Sequence, residues 1–136
     1  MTEGELLLRM ASTLKQEIAP AIEAEYPKTQ AFMAAVVLQK LGQQLALGPA
    51  HAKANDVDLD SLLADLAVAT ATPTPAGVRQ SVEKLAQARD AAALSRLVQS
   101  LYANRSELGE RRFVELLARV RVTLRAAVER RLEYAE

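Results

Sequence analysis

Residues 17–40 read EIAPAIEAEYPKTQAFMAAVVLQK, and the fold turns on how that stretch is understood. Its centre, residues 31–38, is a run of eight consecutive apolar residues. It is far short of the 18 or so that a membrane span requires. A helix that is apolar on every side must be covered on every side. The run therefore predicts a buried second helix, central in a bundle by itself or central once a partner has docked.

Upstream, Leu6, Met10, Leu14, Ile18 and Ile22 recur every four residues, with Leu7 and Ala11 widening the stripe. Thr2 and Glu5 form a T-x-x-E capping box at the start of this first helix. Pro20 lies inside the stripe, where it removes a backbone donor and crowds the preceding turn, so a kink is expected near residues 15–17. Tyr26-Pro27 is expected to end the element, because the residue before proline is driven out of helical geometry.

Downstream, the second helix is expected over residues 29–47, closed by Gly48-Pro49 and followed by a connector over 49–57. Asp58 or Asp60 then caps a short helix with Leu59, Leu62, Leu63 and Leu66 on one face. TATPTPAG, residues 70–77, reads as a stiff linker. Three helical pieces follow. They cover residues 76–88, residues 90–104 with Asp90 as N-cap, and a last helix capped by Ser106 whose seam is Phe113, Leu117, Val120, Leu124 and Ala127.

The expected fold is all-α, a bundle of about five to six helices with a kinked first and a buried apolar second helix. One domain is expected over residues 1–136, with the linker parting an N-terminal region (1–69) from a C-terminal region (78–136).

Composition agrees with that class. Half the residues are apolar, only 4% are aromatic and none is tryptophan, so the core must be built from Leu, Val, Ile and Ala. The chain has no cysteine, which excludes disulfides and thiol chemistry. MTEGELLLRM lacks the basic start and long apolar stretch of a signal peptide, so a cytoplasmic protein is expected. Residues 1–75 hold nine acids against five bases, a net −4, and residues 76–136 hold eight acids against twelve bases, a net +4. No dense basic patch suggests nucleic acid. The imbalance suggests instead that the halves attract each other or that one half faces a charged partner.

Motifs for chemistry are sparse. NDVDLD, residues 55–60, begins like a calcium loop, but counting from Asp56 puts Ser61 at the glycine position and Ala67 at the bidentate glutamate position. His51 is the single histidine, and no nucleophile motif lies near it. There is no glycine-rich phosphate loop. Neither a cofactor nor standalone catalysis is expected. Arg105, Arg112 and Arg119 are spaced by seven and, on a continuous helix, share a face suited to phosphate or carboxylate. Glu107 and Glu115, four residues before Arg111 and Arg119, offer pairing within the helix instead.

Three phrases carry a resemblance. They are Glu17-Ile18-Ala19-Pro20-Ala21-Ile22, Gln44-Leu45-Ala46-Leu47-Gly48-Pro49, and the spaced set Leu124, Arg125, Val128, Arg131 and Leu132. They resemble E-V-L-P-A-L, E-L-x-L-G-P and L-R-x-x-V-x-x-K-L in a family of small helical bacterial proteins of undefined function. Genes of that family often sit beside an aminoglycoside-phosphotransferase-like kinase and an acyl-CoA dehydrogenase. The family's polar residues on the second helix have no counterpart here. The resemblance implies a non-catalytic accessory subunit for a kinase acting on hydroxyacyl-CoA. Phe32, Met33, Val36 and Val37 are then the expected contact, with Arg112 and Arg119 as electrostatic guides. The residues alone also allow a homodimer that hides the apolar run, or a bundle with an acyl pocket beside Ala31, Ala34 and Ala35.

Overall fold

The computed structural model describes residues 1–134 and is all-α, with six helices and no strand among the described residues. The first, α1 (residues 3–21), is helical over Glu3–Thr13, passes through a π-helical turn over Leu14–Ile18 and regains α geometry over Ala19–Ala21. Then come α2 (Glu25–Ala69), α3 (Ala76–Ala88), α4 (Ala91–Ala103), α5 (Arg105–Leu108) and α6 (Glu110–Leu132). They group into two compact units, residues 1–53 with 130–136, and residues 54–129. The division falls within α2, and the proline-rich segment lies inside the second unit rather than at a boundary.

The start and the kink follow the expected chemistry. The Thr2 hydroxyl accepts from the Glu5 N–H at 3.1 Å, and the Glu5 carboxylate accepts from the Thr2 N–H at 2.9 Å. The Ala19 N–H reaches back five residues to the Leu14 carbonyl. Pro20 has no N–H for the Gln16 carbonyl and its ring would strike that group, and the wider turn moves the carbonyl clear.

Three boundaries differ from expectation. The chain breaks at residues 22–24, where Ile22 is extended, and Pro27 sits in the first turn of α2, where a missing N–H costs nothing. Gly48-Pro49 does not stop α2, which runs on without a connector. Pro49 deletes one hydrogen bond, while the alanine-rich AHAKA after it favours helix strongly enough to continue. Ser106 caps nothing, because a break at Gly109 (φ 83°, a glycine conformation) separates α5 from α6.

In the first unit α1 and α2 form an antiparallel pair with an unusually small seam. A Cβ on Gly4 would lie 2.9 Å from the Gly42 carbonyl oxygen and 3.0 Å from the Ala46 nitrogen. The two backbones therefore touch. Ala11 and Ala35, each seven residues nearer the turn, stand level with each other in such a pair, and both are buried. A straight helix would place Ile18 next on the seam. The π turn inserts one residue, so Ala19 arrives there at 0% exposed and Ile18 is turned out at 49%. The expected core stripe of α1 is thus largely outside, with Leu6, Met10 and Ile18 about half exposed.

The second unit has a leucine core. Leu62 and Leu66 of α2 meet Val78 and Leu85 of α3, Leu97 and Leu101 of α4, and Phe113, Leu117 and Val120 of α6. Each fully buried leucine contributes about 1.5–3 kcal/mol of transfer free energy. Asp90 caps α4 as expected, accepting from the Ala93 N–H at 2.8 Å. Ser81 and Ser100 share a hydrogen bond between α3 and α4.

The seam yields a test by glycine replacement. Gly4→Ala and Gly42→Ala should each destabilise by about 1–3 kcal/mol, because the added methyl meets backbone or a packed leucine. Gly48→Ala, with open space around it, should stabilise by about 0.5–1 kcal/mol through helix propensity. Urea unfolding of the three variants checks both signs.

Candidate interaction surface

Phe32, Met33, Val36 and Val37 come together on α2, and all four are open. Ala35 is 2% exposed, whereas Phe32, Met33, Val36 and Val37 are 36%, 65%, 49% and 56% exposed. The expected burial of the second helix is therefore not met within the chain. The reason is the seam: when backbones touch through glycine and alanine, only a narrow strip of each helix is covered. Everything off that strip stays outside.

Helical phase sorts this outside surface into two flanks, at about 100° per residue. In an antiparallel pair, equal rotation from the seam on each helix leads to the same broad face. On one face α1 offers Glu5, Arg9, Ser12 and Gln16, and α2 offers Phe32 and Val36 among Gln39 and Gln43. On the other, α1 offers Leu6, Met10 and Leu14, and α2 offers Leu41 and Leu45. Met33 and Val37 lie near the crest between the flanks.

Arg112 and Arg119 belong to the second unit, and both are occupied. Arg112 donates to the Pro73 carbonyl at 2.8 Å, the Thr74 hydroxyl at 3.0 Å and the Ala69 carbonyl at 3.3 Å. It thereby caps the end of α2 and ties down the proline-rich segment, a favourable place for a cation. Arg119 donates to Asp65 at 2.6 Å, Thr123 at 3.1 Å and Ser61 at 3.3 Å. The hollow beside them is lined by Asp65 and Glu115 as well as by the two arginines, so its charge is balanced internally. The heptad of arginines does not share one helix, because Gly109 separates Arg105 from Arg112.

Other charges also serve the fold. Arg89 takes a left-handed backbone (φ 51°) at the end of α3 and bridges Asp56 at 2.5 Å and Asp60 at 2.8 Å. Those hydrogen bonds raise its pKa above the ordinary arginine value. The two aspartates that begin like a calcium loop are thus arginine partners, one helical turn apart. Arg105 binds Glu110 and lies 4.5 Å over the Phe113 ring. Its hydrogen bond holds the Glu110 carboxyl below the usual carboxylate range. Arg111 pairs with Glu115.

One cluster leaves no local pattern in the sequence. His51 lies within α2, its side chain 14% exposed. With the proton on Nε2, the ring donates to Glu133 at 2.9 Å and accepts from the Tyr134 hydroxyl at Nδ1 at 2.8 Å. These partners are 82 and 83 residues away, beyond any local pattern. They fasten residues 133 and 134 to α2 within the first unit.

The contrast between the two kinds of arginine can be measured. Arg112→Met should cost about 1–2 kcal/mol, since several acceptors lose their donor. Arg111→Met, an exposed i,i+4 pair, should leave the urea midpoint almost unchanged.

No family model, curated protein or solved structure matches this chain.

Proposed function

We propose that this chain is a non-catalytic interaction subunit that docks a larger enzyme through the Phe32–Val36 flank and the Met33–Val37 crest of α2. One observation carries the reading: four large apolar side chains of the 31–38 run stand open on a helix whose own packing is completed by Ala35 and Gly42. Contiguous apolar surface of this kind, bordered by polar residues, is characteristic of protein–protein sites. Gln39, Gln43 and the polar flank of α1 supply that border.

The resemblance names the enzyme, a phosphotransferase-like kinase acting on hydroxyacyl-CoA. The docking proposed here rests on the α2 residues; Arg112 and Arg119 are engaged in the second unit's scaffold. No helix among the described residues is long and apolar enough to cross a membrane, so the open run is read as a protein contact.

Co-expression with such a kinase encoded alongside should give a stable co-purifying complex. Phe32→Glu or Val36→Glu should weaken it at least tenfold by titration calorimetry, as expected for apolar anchors. The helix content of each variant should be retained. A kinase that binds both variants as tightly as the parent chain would overturn the site, and one that binds neither parent nor variant would overturn the role.

A further inference from the structure

The opposite flank of the same pair points to a second, independent contact. Leu6, Met10 and Ile18 of α1 lie about half exposed on the same face as Leu41 and Leu45 of α2, the face that lacks the polar border. Glu3 and Gln30 are the exceptions near its ends. We propose that this face is covered by a second copy of the chain, two helical pairs closing about a two-fold axis into a four-helix bundle.

The size of the face supports that occupant. Sixteen to eighteen residues at 1.5 Å rise give a length of about 25 Å, and two helices in close contact give a width of about 18 Å. The projected area is therefore roughly 450 Å² per copy, and the accessible area of a corrugated helical surface is larger. Two copies bury on the order of 1,000 Å² or more, the level that separates specific interfaces from incidental contacts. The shape fits as well. A two-fold operation pairs a patch with itself, so a face carrying one stripe from each helix can set α1 of one copy against α2 of the other. The near absence of charge matches the more apolar character of homodimer interfaces.

The pairing goes beyond the proposed accessory role and uses the other flank, so the two are separable. Light scattering on the purified full chain, from low micromolar to millimolar concentration, should give twice the 14.8 kDa chain mass at the upper end and dissociation on dilution. Met10→Glu and Leu41→Glu should each abolish the dimer while circular dichroism stays that of the parent. Leu41→Gln, a milder change, should weaken it without threatening the fold. Val36→Glu on the opposite flank, and Val122→Glu on exposed α6, should leave it intact. A parent chain that is monomeric throughout overturns the pairing, even if it still binds the kinase. So does a dimer that survives Met10→Glu and Leu41→Glu together, or one that Val36→Glu destroys.

Discussion

The contact of Gly4 with Gly42 is the constraint on which the first unit depends. Two helices joined through leucine or isoleucine stand about 8–10 Å apart and hide those side chains between them. Two helices joined through glycine and alanine come closer, gain backbone contact and hide almost no large side chain. The hydrophobic residues are then displaced to the flanks. The π turn belongs to the same design. It re-phases α1 after Ala11, so that Ala19 rather than Ile18 reaches the seam, and Ile18 joins Leu6 and Met10 outside. Pro20, which in a regular helix would be a defect, fixes where that shift occurs.

The second unit is built on the opposite principle. Its seams are leucine, valine and phenylalanine, and several of its arginines hold structure. Arg89 steadies a left-handed residue through Asp56 and Asp60, Arg119 ties α6 to α2, and Arg112 finishes a helix end. Unfinished burial is concentrated in the first unit.

Much of this was legible from local patterns. The capping box at Thr2, the disturbance before Pro20, the N-cap at Asp90 and the Phe113–Leu117–Val120 seam each depend on residues within a turn or two of one another. What local reading missed shares a different physics. Gly48-Pro49 looked like a stop because each residue penalises helix, yet the alanine-rich segment beyond carries α2 through them. Residues 31–38 looked buried because apolar runs usually are. Whether a run is covered depends on what faces it, and here the residue level with Ala35 across the seam is Ala11, too small to cover the run. The His51–Tyr134 contact spans 83 residues and left no trace in composition or spacing. The four open residues on α2 stand out by their apolarity; the arginines stand out by their spacing, which Gly109 interrupts.

The asymmetry of the two flanks bears on the two contacts proposed for this unit. Interfaces between two copies of one chain are the more apolar class, whereas contacts between different proteins mix apolar anchors with polar neighbours. Leu6, Met10, Leu41 and Leu45 have the first composition, and Phe32 and Val36 among Gln39 and Gln43 have the second. Both flanks hang on one narrow seam, so widening it would move them together. Under the two proposals, a substitution at Gly4 or Gly42 therefore perturbs self-pairing and enzyme docking at once, whereas a substitution on either flank perturbs one alone. That distinction, between a residue that sets the geometry of the contacts and residues that make them, follows from the seam being built of side chains too small to make any contact of their own.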